Sequence, residues 1–378
     1  MGINKSRLLS TILSPVYIFI DRKINKKDIS KKNKKILLIF LGYIGDYVLF
    51  RNYIEEIKKD LKYKNYSITF CGNPLWKKLS ESLDKKYVDE FIWIDRQKFL
   101  MNPIYRSHIL KKISKESFEI TLMPNHGRSF SADSIVKISN SINKIGNNGS
   151  SIDIFSWQKK ISDKYYTKLI SLRKDIQFEF LKNKDFFEKF LNKNLSTKLS
   201  IPFKETSFNE GYVVFVPGGG ANFKRWAPKN FAKVADFIIQ NKNLKVKILG
   251  SKNDSKLAEE IISHSNNPEG IENLTGNTLL NSIDLIGNSR LLVSNDTGAV
   301  HIAAATSTPT LCVSNRNQFG KFHPYPKSLL KNISHIYPID MKKKSSSELI
   351  KKYSIYSGLN INLITPKEVI EKLETFLD

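Results

Sequence analysis

Cysteine is almost missing from this chain of 378 residues: Cys71 and Cys312 are the only two and lie far apart. That excludes a disulfide framework and any paired-thiolate metal site, and it reads as two free, buried thiols of a cytosolic protein. Long apolar runs are missing too. The most apolar early stretch, Leu8 to Ile20, is broken by Ser10, Thr11, Ser14 and Pro15, and a membrane crossing needs about 20 apolar residues. No small-residue cleavage site follows it, so it is not a secretory signal. Histidine and carboxylate pairs at metal-ligand spacing are absent, as are H-E-x-x-H and D-x-D, so neither a metal nor another cofactor is expected. Acidic residues are scarce. Against 61 Lys and Arg there are 36 Asp and Glu, a formal charge of +25, and such a field attracts polyanions and anionic membrane surfaces. Nucleic acid is not the expected partner, because RNA-binding and helix-turn-helix signatures are lacking.

What is present is a globular composition, 40% hydrophobic and 11% aromatic with 13 prolines, in a chain long enough for two domains. Short β-rich runs alternate with amphipathic helical stretches, which implies parallel sheets covered by helices. The first half offers strands at Ile36 to Leu41, Ser67 to Cys71, Glu90 to Ile94 and Glu119 to Met123, with helical patterns at Tyr53 to Lys62 and Leu75 to Leu83. Residues 150 to 210 show no convincing strand. The alternation restarts with strands at Tyr212 to Val216, Lys245 to Leu249, Arg290 to Ser294 and Thr310 to Val313. Helices are expected at Pro228 to Gln240, Ser255 to His264, Leu279 to Gly287 and Thr297 to Ala305. A final helix, Pro366 to Leu377, follows Thr365 as N-cap. The fold class is therefore α/β, two Rossmann-like doubly wound domains facing across a ligand cleft. The expected division is a basic and apolar extension, 1–35, a first Rossmann-like domain, 36–205, and a second, 206–378, whose final helix is free to pack back on the first domain.

The extension carries ten Lys and Arg against two Asp. It is read either as an anchor lying on an anionic inner-leaflet surface or as a helix packed on the first domain.

Three segments carry chemistry. In Leu291 to Ala305, LLVSNDTGAVHIAAA, a strand runs into Asp296, Thr297 and Gly298 and then a helix holding His301. Unpaired amides and the positive dipole end of a helix suit a diphosphate. Asp296 is read as the helix cap, and Thr297 and His301, four apart, share a face. In Val216 to Pro228, VPGGGANFKRWAP, Gly218 and Gly219 allow close backbone approach while Lys224 and Arg225 supply charge for phosphate oxygens. The same loop also reads as a plain strand-to-helix turn with Trp226 in the core. It does not match the Walker A spacing. Third, Gly42, Tyr43, Ile44, Gly45 and Asp46 follow the first strand, which puts a carboxylate at a helix start, either as a general base or as a first-turn residue satisfying the dipole. Asn125, His126 and Arg128, after the fourth strand, are candidate acceptor contacts.

In this order the segments resemble glycosyltransferase family 9, the lipopolysaccharide heptosyltransferases, from about Lys35 to Tyr325. The D-T-G-x-x-H-x-A-A-A and K-R-W-x-P matches carry the resemblance. It implies a GT-B architecture and a metal-independent, inverting transfer from a nucleotide sugar, often ADP-heptose; the basic surface and the N-terminal run suit an anionic glycolipid or polysaccharide acceptor. The enzyme would work at the inner face of the cytoplasmic membrane. It makes Asp46 the base and gives Lys224 and the Asp296, Thr297, Gly298 turn the donor diphosphate, with His301 lining the pocket. Where members commonly follow the G-D pair with threonines and a proline, this chain has Phe50, Arg51 and Asn52, a departure assigned to the acceptor side. Alternatives within the fold are another nucleotide sugar, such as a UDP-sugar, or a non-catalytic sugar-binding protein.

Overall fold

In a computed structural model of the chain, residues 5–22, 24, 33–206, 211–338 and 345–377 are described. They divide into two compact units, Met1–Ile176 with Phe180–Thr197, and Gln177–Glu179 with Lys198–Asp378. The change of unit after Thr197 comes ahead of the expected position 205.

The first unit holds six parallel strands, β1 (Lys35–Phe40), β2 (Ser67–Gly72), β3 (Glu90–Trp93), β4 (Ser117–Met123), β5 (Asn140–Asn147) and β6 (Lys168–Ile170). Their order is β3-β2-β1-β4-β5-β6. The second holds β7 (Tyr212–Val216), β8 (Lys245–Ile248), β9 (Ile271–Asn273), β10 (Leu291–Asn295), β11 (Thr310–Val313) and β12 (Ile333–Ile336), in the order β12-β11-β10-β7-β8-β9. Both are doubly wound. Ile36, Leu37, Leu38 and Ile39 of β1 are fully buried, because helices cover both faces of a parallel sheet and every position along a central strand is interior.

Each sheet reverses its strand order once, between β1 and β4 in the first unit and between β7 and β10 in the second. Open α/β sheets bind ligands beyond the carboxyl ends of the strands at that reversal. The exits of β1 and β4 carry Gly42 to Asp46 and Asn125 to Arg128, and the exits of β7 and β10 carry the glycine loop and the Asp-Thr-Gly turn. Every segment singled out from the sequence thus leaves a strand at a reversal.

Helix Lys5–Asp21 belongs to the first unit. Its Asp21 carboxylate takes two bonds from the buried Arg106 guanidinium, at 3.1 and 2.6 Å. The Tyr17 hydroxyl donates to the Leu100 carbonyl at 2.9 Å. The final helix, Pro366–Leu377, packs in the second unit against helix Pro228–Lys242, with Val369 and Leu373 at zero exposure in that unit's own core.

Candidate functional site

In the second unit β7 and β10 are hydrogen-bonded neighbours, with Val216 beside Ser294, so the loops that leave them start side by side. Asn295, the last residue of β10, joins the two. Its buried amide donates to the carbonyls of Pro217 at 2.7 Å and Gly218 at 3.3 Å, and its oxygen accepts from the Trp226 amide at 3.2 Å. Sequence reasoning missed this residue. Its signal was available, since a buried amide at a strand end must find partners among adjacent loop backbones.

Gly218 lies under Asp254, where a Cβ would come within 2.9 Å of the carboxylate. Asp254 in turn stands 3.9 Å from the Arg225 guanidinium, which also donates to the Gly219 carbonyl at 3.2 Å. Arg225 therefore braces the glycine loop from within. Trp226 is 1% exposed and its indole N–H donates to the Ile364 carbonyl at 2.9 Å, which settles the core reading for that ring. Lys224 points the other way, its Nζ 3.1 Å from Asp296 Oδ2. Two loops 72 residues apart in sequence thus meet through one ion pair.

The helix after β10 is Gly298–Thr306, and its cap is Thr297, whose hydroxyl accepts from the Ala299 amide at 3.3 Å. This corrects the assignment of Asp296 as cap: Asp296 is committed to Lys224, with His323 Nε2 at 3.7 Å on its other side. Burial works against the Asp296 carboxylate, yet His323 and Lys224 hold its pKa below the usual range. Burial also pushes the His323 imidazole down, so at neutral pH it is uncharged and Lys224 is the standing cation. Residues 296 to 299 remain partly exposed, so the helix start is accessible within its unit. His301 is less so: it is 5% exposed and its Nδ1 lies 2.6 Å from the Tyr325 hydroxyl. Its imidazole lies among aromatic neighbours, Phe322 and Tyr325, whereas Thr297 is the extended cap ahead of the helix. His323 and Asn315, whose amide ties the Phe223 carbonyl at 3.0 Å, were not foreseen. Both follow β11 in a segment with too little periodicity to read.

In the first unit Asp46 sits in the short helix Ile44–Val48 and accepts from the Tyr43 amide at 2.9 Å. Gly42 makes that turn possible, since a Cβ there would come within 2.6 Å of Asp46 Cβ. The Gly42 carbonyl is held by the Trp76 indole N–H at 3.0 Å. Tyr43 stands 61% exposed beside the carboxylate, with the Arg96 guanidinium over its ring at 5.2 Å. Asn125 and His126 are partly exposed at the neighbouring exit. Arg128 is not a surface contact. It is fully buried, bound to both Asp133 oxygens at 3.0 and 2.9 Å, with Asp163 at 2.9 Å and the Ser162 hydroxyl at 3.0 Å. A guanidinium so enclosed holds the fold, which corrects its place among acceptor residues. Phe50, Arg51 and Asn52 are likewise interior. Phe50 stacks on Phe40 at 4.0 Å, and Arg51 pairs with Asp84 at 2.9 Å, with both partners buried. The departure from the family pattern is therefore a core substitution.

Two doubly wound parallel sheets, each with one reversal of strand order, are the GT-B architecture. The chain belongs to glycosyltransferase family 9 (heptosyltransferase), whose model matches residues 108–352. It is 35% identical over 180 residues to lipooligosaccharide heptosyltransferase 2 of Haemophilus ducreyi, a match covering 45% of this chain and 48% of that one. It is 28% identical over 173 residues to lipopolysaccharide heptosyltransferase 2 of Salmonella typhimurium, covering 44% and 46%. The chain thus spans about half the length of the curated relatives it matches. Among solved structures, the glycosyl transferase family 9 protein of Veillonella parvula superposes with a TM-score of 0.72 at 18% identity, covering 93% of this chain and 99% of that one. The ADP-heptose lps heptosyltransferase II of E. coli superposes at 0.65 and 19%, covering 91% and 98%.

Proposed function

We propose that the chain is an inverting glycosyltransferase that moves a sugar, heptose from ADP-heptose, onto a lipopolysaccharide core or related anionic surface glycan. The observation that carries the reading is the meeting of Lys224, Asp296 and the start of helix Gly298–Thr306 at the β7 and β10 exits. A diphosphate brought there gains a lysine and a positive helix end. Positive charge aimed at the departing diphosphate stabilises the charge that develops as the sugar leaves. Asp296, held ionised by Lys224, is suited to accept hydrogen bonds from sugar hydroxyls.

In this proposal Asp46 is the general base. The acceptor oxygen attacks the anomeric carbon, the bond from that carbon to the diphosphate oxygen breaks, ADP leaves, and the acceptor proton passes to the Asp46 carboxylate. Such a base contributes about 100- to 10,000-fold. Gly218, Gly219 and Arg225 shape the diphosphate loop, Thr297 and Gly298 offer the helix start, and His301 backs the pocket wall. Asn125 and His126 are proposed to meet the acceptor. The enzyme would act at the inner face of the cytoplasmic membrane, with no metal needed because Lys224 and the helix start supply the charge.

The test is ADP release by purified protein from ADP-heptose, with and without a lipid-linked core acceptor and with excess chelator. Acceptor-dependent release that survives the chelator supports the reading. Release from a UDP-sugar instead would replace the donor, and no release from any nucleotide sugar would remove the enzyme.

A further inference from the structure

Helix Lys5–Asp21 presents its faces in the reverse of the usual sense. The side facing its own unit is polar: Ser10, Ser14, Tyr17 and Asp21 are all buried, at 7, 0, 2 and 2% exposure. They are tied down by bonds to Gln158, Leu100 and Arg106. The side facing outward is apolar, with Leu9, Ile12, Val16 and Phe19 at 37, 63, 54 and 61% exposure. Those four fall at i, i+3, i+7 and i+10, one stripe along the helix. A water-facing helix ordinarily buries that stripe and exposes the polar one.

The stripe has apolar company on the helices around it. Helix Arg96–Met101 and helix Pro103–Ser114 pack against it and expose Met101 at 49% and Ile104 at 81%. Helix Ser156–Ser162, whose Gln158 bonds to Ser14, exposes Trp157 at 42% and Ile161 at 38%. Charge on these four helices is mainly basic, although Arg106 is paired in the interior with Asp21, Lys112 pairs with Glu90 at 3.0 Å and Lys159 with Asp163 at 2.9 Å. Their sequences hold nine Lys and Arg and a single acid, Asp21, and Asp21 is buried and neutralised by Arg106. At 17 residues the helix is about 25 Å long, too short and too interrupted to cross a bilayer. Among the described residues no helix qualifies as a span.

We infer that this surface docks on an anionic lipid bilayer, the helix lying in the interface plane with Leu9, Ile12, Val16 and Phe19 inserted and the surrounding lysines against headgroups. Apolar insertion and attraction to anionic lipid add in such a geometry. A second copy of the chain would bring the same cations face to face, and like charges repel, so charge selects the bilayer as occupant. The inference rests on the helix and takes its purpose from the lipid-linked acceptor proposed above: the enzyme is held at the surface where its acceptor is embedded.

The test compares the full-length chain with Ile12→Glu/Val16→Glu, two exposed positions whose replacement leaves the buried polar face intact, as checked by an unchanged Tm. Sedimentation with vesicles of phosphatidylcholine and phosphatidylglycerol is expected to capture the parent and to lose at least about tenfold in partition for the variant, because each inserted aliphatic contributes about a tenfold factor. Binding is also expected to weaken at high salt and with pure phosphatidylcholine. Equal partition of the two proteins overturns the inference. So does a parent dimer, seen by analytical ultracentrifugation, that the variant abolishes while neither protein binds vesicles. ADP release with a detergent-dispersed acceptor, equal in parent and variant, separates failure of docking from failure of the transferase reading.

Discussion

Replacing Lys224 by Met removes the cation 3.1 Å from Asp296 while keeping most of the stem's volume. Lys224 and Asp296 are mostly enclosed, at 16 and 9% exposure of their side chains, so the carboxylate left behind is not rescued by bulk water. Breaking a fully buried pair from one side costs about 3–5 kcal/mol. Here residual exposure reduces the expected loss to about 2 kcal/mol at pH 7. The loss has a pH signature. In the parent the folded pKa of Asp296 lies below its ordinary value, so the carboxylate contributes stability above about pH 4, and that contribution disappears as pH falls through the folded pKa. In Lys224→Met burial is no longer opposed by the lysine and the folded pKa rises. The variant's deficit is then largest at neutral pH and shrinks as acid protonates Asp296. Urea unfolding at pH 7 and pH 4 measures both values. Adding Asp296→Asn to the variant should recover most of the deficit at pH 7, a coupling that a double-mutant cycle isolates. A deficit that is the same at both pH values, or full additivity of the two replacements, would refute the pairing argument.

Asn295→Ala strips three backbone partners, at Pro217, Gly218 and Trp226, from the loop leaving β7. It should cost about 2–4 kcal/mol and lower Tm by several degrees, with weaker ADP binding in calorimetry. Arg128→Met should leave the buried Asp133 unbalanced, while the partly exposed Asp163 keeps Lys159 at 2.9 Å, and cost about 3–5 kcal/mol, measured by denaturant midpoint. Rescue by the further change Asp133→Asn would identify the charge as the cause. Gly42→Ala would bring a methyl within 2.6 Å of Asp46 Cβ, so turnover should fall at least about tenfold with a stability loss of only about 1–3 kcal/mol. An unaffected rate would mean that the carboxylate need not hold its place.

The central strands were legible because burial on both faces leaves continuous β-branched and aromatic runs, as in Ile36 to Phe40 and Tyr212 to Val216. The strands that escaped were β5, β6, β9 and β12, all at or next to a sheet edge, whereas the edge strand β3 was read. β5 reads NSINKIGN, β6 only KLI, and β9 only IEN, and short or polar sequences whose extended form comes from a neighbour carry little β signal of their own. The helix ends were legible from chemistry: Pro228 and Pro366 open their helices as expected, and Thr365 caps the last one through a reciprocal pair with Glu368. Of the candidate site, the Lys224 and Asp296 loops were found from motif chemistry, and the topology then explains why they adjoin. What motif chemistry could not separate was a polar residue facing ligand from one holding the fold. Arg128 is enclosed by two acids supplied by a helix start and by a turn some 35 residues on, and no local pattern reveals that enclosure. Asp296 gave up the cap to Thr297 because its carboxylate is better served by a lysine 72 residues away.

The account stands most directly on turnover by Asp46→Asn, a near-isosteric change that keeps an acceptor for the Tyr43 amide. ADP release from the nucleotide sugar in the presence of acceptor should fall at least about 100-fold, with ADP affinity and Tm unchanged. A variant that transfers sugar at the parent's rate would contradict the proposed chemistry.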